Sequence, residues 1–263
     1  MSPSASEWDA KAYHRVSDPQ FRWGLKVLER LSLRGDERVI DAGCGSGRLT
    51  AELLQRLPNG HVLAVDASEN MLEQARGNLA ERFKGRVSFL KADLASLRVD
   101  APYDVVFSTA TFHWVLDHDA LFRSLAGALK SGGRLHAQCG GGDNVKRIRM
   151  RSEAITSEPK FSRYFQGYAH PTLYAWPEET RERLSRAGFG SLNVALEEAL
   201  TVMPDEASYR AFLETVLLRI PLQRIPDKAL QAEFLGRMVA EGRGDSPPFS
   251  LDYWRLNMEA VRS

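Results

Sequence analysis

Apolar residues in this chain recur in short runs that end in glycines or acids. Val39 and Ile40 close one such run, and Gly43, Gly45 and Gly47 then interrupt the chain at every second position. Leu49, Leu53, Leu54 and Leu57 return at helical spacing, so the pattern predicts a buried strand, a tight turn and a helix whose N-terminus the turn caps. The alternation repeats. Residues 62–65 form an apolar run ending at Asp66, and Ser68 is placed to cap a helix over 69–76. Further strands are predicted over 87–90, 104–107 and 134–138, with a helix over 120–129 and a turn at 130–133 between the last two. Strands alternating with helices imply an α/β fold, a parallel, doubly wound sheet with right-handed crossovers.

Outside this stretch the rhythm changes. Aromatic and apolar residues from Trp8 to Leu31 surround Pro19, which predicts two short helices with a turn there. Beyond Gly142 the pattern predicts helices over 143–157, 178–187, 206–218 and 228–241 and strands over 192–202 and 251–261. The organisation expected is lid helices and a ligand-binding core over 1–142, a cap insertion over 143–176, a core helix and strand over 177–203, a helical cap over 204–248, and a last core strand over 249–263. Loops at the carboxyl edge of such a sheet carry specificity, so the insertions are where a substrate cap is expected.

Charge narrows the class of partner. Thirty-five Lys and Arg nearly balance 34 Asp and Glu, which leaves no global field favouring nucleic acid or an anionic membrane. A small-molecule substrate and a monomer are the default. No apolar stretch approaches about 20 residues and the N-terminus lacks a signal pattern, so a cytoplasmic location is expected. Cys44 and Cys139 are too few for a disulfide framework. His118, between Asp117 and Asp119, reads as a helix N-terminus, because adjacent side chains do not converge on a metal; no metal is expected.

Candidate chemistry gathers where strands end. Asp66 falls 23 residues after Gly43, where a carboxylate accepts from both hydroxyls of a ribose. Asp93 lies just past the third strand, placed to accept from an adenine amino group while Leu94 packs on the ring. Glycines at this spacing also suit a dinucleotide, so an NAD-dependent oxidoreductase is a competing reading, as is a protein that binds its cofactor without turnover. Asp41 bears on the choice, because an acid suits a ligand carrying a sulfonium and an ammonium better than it suits a pyrophosphate.

The segments DAGCGSG, AVDAS with Met71 after it, KADL, TATFHWVLDHDALF and SGGRLHAQ, with WDAKAY and SDPQ upstream, carry a resemblance. They are similar to class I S-adenosylmethionine-dependent methyltransferases, and from Trp8 to about Asn144 the chain resembles the trans-aconitate methyltransferase group, a branch that also resembles juvenile hormone acid and malonyl-carrier methyl ester-forming enzymes. That resemblance implies a Rossmann-like methyltransferase sheet, mostly parallel with an antiparallel last strand, plus a helical cap. It implies S-adenosylmethionine as cofactor, with Tyr13 and Gln20 closing over it and Asp41, Gly43 and Gly45 at its methionine end. Asp66 would hold the ribose and Asp93 and Leu94 the adenine, with Ala67, Met71 and Ala92 also cofactor-binding; Ser108 and the residues to 110 would lie near the amino-acid portion. His113 and Trp114 would lie beside the transferring methyl.

A carboxylate acceptor is ionised near pH 7 and needs no general base. His113 is the candidate catalytic group at the expected site, read either as a base or as a hydrogen-bonded spacer, so O-methylation of a carboxylate is favoured over a phenol, amine or carbon acid. An anionic acceptor needs cationic or hydroxyl partners, for which Arg149, Tyr164, Tyr168 and Arg219 are candidates, although a run such as KRIRMR also reads as a solvated helix face.

Overall fold

The computed structural model describes residues 18–263, so Tyr13 and the aromatics before Asp18 lie outside the described residues. The first described helix, α1, spans Asp18–Arg30. Pro19 sits in its first turn, where a missing N–H costs nothing. The turn expected at Pro19 is therefore helix, and the short helix expected before it lies outside the described residues.

Five strands follow in the order read from the sequence: β1 (Arg38–Ala42), β2 (His61–Asp66), β3 (Val87–Lys91), β4 (Tyr103–Thr109) and β5 (Leu129–Gly140). They alternate with α2 (Arg48–Arg56), α3 (Glu69–Leu79) and α4 (His118–Ala128). After β6 (Phe189–Glu198) and the short β7 (Thr201–Val202) and β8 (Ser250–Leu251), the chain ends in β9 (Trp254–Arg262). Among the described residues one sheet has seven strands in the order β3-β2-β1-β4-β5-β9-β6. Pairing is parallel between β1 and β2, β1 and β4, β2 and β3, and β4 and β5, whereas β9 runs antiparallel to β5. The direction of winding reverses at β1, so the carboxyl ends of β1 and β4 flank the crevice where such sheets take their ligands.

Burial explains the apolar runs. Val39, Ile40, Val62, Val65, Val105 and Val106 are wholly buried, because helices cover the sheet on both faces. The turn expected at 130–133 is an excursion within β5: Tyr103 pairs with Leu129, and the register then jumps to Val105 opposite Arg134.

The chain divides into two compact units. The first holds the seven-stranded sheet, with residues through Gly142, Pro171–Glu197 and Arg255–Ser263. The second comprises Asp143–His170 and Glu198–Trp254. In that unit Tyr209, Phe212, Leu213, Phe234 and Met238 form a buried interior, and Arg151 holds the 8%-exposed carboxylate of Asp245 at 2.7 and 3.1 Å. Arg147 reaches the same carboxylate at 3.2 Å and donates to Ser250. Two arginines of the KRIRMR run are thus structural ion-pair partners. The helix expected over 206–218 stays α-helical only to Phe212; Leu218 N–H then bonds to the Leu213 carbonyl, which makes a π turn over Leu213–Leu217. Among the described residues no helix is long and apolar enough to cross a membrane.

Candidate active site

The glycine loop is tied to its neighbouring strand by backbone bonds. Gly43 and Cys44 N–H groups both donate to the Val65 carbonyl, at 2.8 and 3.0 Å. Gly43 has φ +85°, and a Cβ there would lie 2.1 Å from Thr111 Oγ1. Thr111 in turn donates to the Gly43 carbonyl at 3.3 Å and to the Thr109 carbonyl at 2.9 Å, which joins the end of β4 to the loop. A Cβ on Gly45, φ +53°, would meet nothing within 4 Å among the described residues, so this glycine borders open space at the strand ends.

Asp66 stands at the end of β2 with its carboxylate aimed by two backbone donors. Gly45 N–H reaches Oδ2 and Ser68 N–H reaches Oδ1, each at 2.9 Å. Ser68 itself caps α3, its hydroxyl accepting from Met71 N–H at 3.4 Å, as the sequence predicts. The pair of carboxylate oxygens matches a vicinal diol. Ala67 beside it is exposed and Met71 is buried. Ala92 N–H donates to the Asp66 carbonyl at 3.1 Å, so β3 hands on to the next candidates beside the same acid. Asp93 is exposed and accepts from Ala95 N–H at 2.9 Å, capping a short turn, while Leu94 is buried in the apolar core.

Asp41 sits under the loop. It is 2% exposed and accepts from Thr50 Oγ1 at 2.6 Å. Burial pushes its carboxyl up to about 7 against the Thr50 hydrogen bond, and the nearby Asp66 charge adds to the rise. A folded value above the ordinary 3.8 means the ligand-free fold loses stability from this group as pH rises from 3.8 to about 7. Thermal melts at pH 5 and pH 7 should therefore show a smaller decline for Asp41→Asn than for the native chain; equal declines would remove Asp41 as the source.

At the other side of the crevice, Ser108 is 1% exposed and donates to the Ala42 carbonyl at 2.6 Å, bridging β4 to β1. His113 is 9% exposed; its ring stacks on Tyr174 (centroids 5.7 Å, 26°) and tilts against half-buried Trp114 at 5.3 Å. Gly140 N–H donates to His113 Nδ1 at 3.4 Å, which assigns the proton to Nε2 and makes that nitrogen a donor. Gln20 on α1 is 9% exposed, and its Oε1 has no partner among the described residues.

The candidates of the second unit fall in two neighbourhoods. Arg149 and Tyr168 both border His170: desolvation of that ring, then the Arg149 charge, push it down to about 4, and the Tyr168 ring lies 6.5 Å away edge-on. Arg224 stacks over Tyr168 at 5.2 Å and donates to the Tyr164 carbonyl at 2.9 Å. Arg219, lowered by desolvation, lines a cavity of about 410 Å³ with Arg210, Gln223, Lys228 and Gln231. Sequence reasoning missed Thr50 and Thr111, whose contacts to Asp41 and Gly43 no spacing rule signals, and Arg255, which sits in what reads as the polar face of a strand.

Comparisons with known proteins agree with this geometry. A family model described as a methyltransferase domain matches residues 39–133. The trans-aconitate 2-methyltransferase of Methylobacterium nodulans is 34% identical over 248 residues, which cover 92% of this chain and 92% of that protein. The enzyme of the same name from Rhodopseudomonas palustris strain BisB18 is 37% identical over 151 residues, 57% of each chain. Among solved structures, the phosphoethanolamine N-methyltransferase 2 of Haemonchus contortus superposes with TM-score 0.62 at 19% identity, covering 97% of this chain and 56% of that one. The cyclopropane synthase MmaA2 of Mycobacterium tuberculosis gives 0.58 at 18%, covering 93% and 84%.

The sheet, the glycine loop and the acid at the end of β2 define a class I S-adenosylmethionine-dependent methyltransferase, and the dinucleotide reading of the loop falls away. Within that class the chain belongs to the trans-aconitate 2-methyltransferase family. The residues present fit the cofactor: a carboxylate with fixed oxygens suits the ribose, and the open space at Gly45 admits a ligand against backbone.

Proposed function

We propose that this chain methylates a carboxylate oxygen of a small polycarboxylic acid of the trans-aconitate type, leaving a methyl ester. S-adenosylmethionine, when bound, supplies an electrophilic methyl group on sulfur. In this reading Asp66, with Ala67 and Met71 beside it, takes the ribose; Ala92, Asp93 and Leu94 take the adenine. Asp41 and Gly43, with Gly45 and Ser108, take the methionine end, and Tyr13, Gln20 and Trp114 enclose the site. Arg149, Tyr164, Tyr168 and Arg219 are the candidate partners of the acid. A single monomer in the cytoplasm completes the reading.

The observation that carries it is the hydrogen bond from Gly140 N–H to His113 Nδ1. An imidazole whose Nδ1 accepts from the Gly140 N–H presents Nε2–H as a donor, and a donor can orient a carboxylate but cannot take a proton from an acceptor. A carboxylate needs only alignment and exclusion of water, which can supply most of the acceleration. The 34% identity to the trans-aconitate 2-methyltransferase of Methylobacterium nodulans over 92% of the chain supports the same acceptor class.

Incubation with labelled S-adenosylmethionine and a panel of carboxylic acids, phenols and amines tests it, with mass detection of product. Methyl esters of polycarboxylic acids are expected, and label in phenols or amines alone overturns the reading. His113→Ala should keep turnover within about tenfold at saturating acid, the scale of one orienting hydrogen bond. A loss approaching complete inactivity with binding intact would assign His113 as a base.

A further inference from the structure

The last strand has two unlike faces. Leu256, Met258 and Ala260 join the apolar core, and Arg255, Asn257 and Glu259 point to the other side. That polar side is covered by α1, since Arg30 donates to Asn257 at 2.6 Å and pairs with Glu259 at 3.4 Å. Arg255 is the residue of this face nearest the carboxyl end of β5, and it is 3% exposed. Its guanidinium lies 4.6 Å over the Trp23 ring, and its Nε donates to Gln138 Oε1 at 3.4 Å. In register it stands opposite Gly140, the glycine whose N–H holds His113. The backbone of Arg255 and the imidazole of His113 thus meet at one residue at the end of β5, with the guanidinium over Trp23 and beside Gln138. Gln20, one helical turn before Trp23 on α1, adds a nine-tenths-buried amide whose Oε1 has no partner among the described residues.

We propose that Arg255 holds a spectator carboxylate of the acceptor and so sets a preference for di- and tricarboxylic over monocarboxylic acids; this rests on the function proposed above. An arginine has several N–H donors in a fixed fork, so bonds to Gln138 and other neighbours are compatible with a further bond to a carboxylate. Out of water such a bond is stronger than at a surface. The carboxylate held is the one that does not react, because a fork that engages the oxygen lone pairs would blunt the nucleophile. Trp23 fixes the plane of the guanidinium and Gln138 fixes its edge, so the fork is preorganised.

The test uses the full-length protein and its Arg255→Met, Arg255→Gln and Arg255→Lys variants. KM and kcat are measured for a tricarboxylic, a dicarboxylic and a monocarboxylic acid, alongside the affinity for S-adenosylmethionine. Calorimetric binding of tricarballylate, a saturated tricarboxylate, in the presence of S-adenosylhomocysteine gives a readout without turnover. Expected for Met and Gln is a tricarboxylate KM and a tricarballylate Kd raised about tenfold or more, with the monocarboxylate KM and cofactor affinity within about twofold. Lys should fall between. A tricarballylate Kd unchanged in the Met and Gln variants overturns the assignment, as does an equal rise in KM for all three acids, which marks a structural arginine. If Met unfolds, Gln retains a polar partner for Gln138 and carries the same expectation. Failure of the native protein to esterify any acid refutes the proposed function instead, and the binding measurement still decides Arg255.

Discussion

Asp66→Ala is expected to weaken S-adenosylmethionine binding by about 1 to 3 kcal/mol, roughly fivefold to 150-fold in Kd, by the loss of charge-assisted hydrogen bonds. The structure argues for the upper part of that range. The carboxylate does two things at once, because each oxygen accepts a backbone N–H, from Gly45 or Ser68, and can also accept a ribose hydroxyl. Removing it strips the ligand's partner and releases the glycine loop from the start of α3. Asp66→Asn separates the two effects: an amide keeps one acceptor oxygen for the loop or the ligand but cannot serve both hydroxyls. Its loss should lie between those of wild type and alanine. Equilibrium titration of the three proteins checks this, and an alanine variant with native affinity would remove Asp66 from the ribose site.

Gly43→Ala and Gly45→Ala should fail in different ways. At Gly43 a Cβ would sit 2.1 Å from Thr111 Oγ1 and 2.3 Å from its Cγ2, in a backbone conformation that L residues seldom adopt. Thr111 is held by two carbonyls and cannot swing aside cheaply. Overpacking and the left-handed backbone together should cost about 3 kcal/mol of stability. Urea unfolding should show a lower midpoint at an unchanged slope. At Gly45 the new methyl meets nothing among the described residues, so the stability cost is that of the backbone alone, about 1 kcal/mol, while the open space it fills is the space proposed for the cofactor. Gly45→Ala should therefore lose much more in cofactor affinity than in stability. The same loss of stability in both variants would contradict the distinct packing of the two glycines.

What was legible in the chain follows from periodicity. β1, β2 and β4 are covered on both faces, so their runs are continuously apolar and cannot be mistaken for loop. Ser68 reads as a cap because capping is a local event between residues three apart. The π turn at Leu213–Leu217 was not legible, since it depends on which carbonyl Leu218 selects. Nor was the break between β6 and β7, where Ala199 N–H turns to the Tyr253 carbonyl more than fifty residues away. The charges of KRIRMR read as a solvated face, yet Arg147 and Arg151 close on Asp245, roughly a hundred residues downstream.

By itself the sequence determined the parallel strands β1 to β5, the helices that alternate with them and the acids that end those strands, because alternation, glycine spacing and caps are properties of neighbouring residues. Only the tertiary structure decided how those groups behave. It gave Asp41 a partner in Thr50 and lifted its carboxyl toward neutrality. It set Thr111 against Gly43, turned the His113 ring into a donor, and drew α1 across the polar face of β9 so that Arg255 is buried against Trp23. Burial and long-range pairing set charge state and hydrogen-bond direction, and neither is a property of adjacent positions.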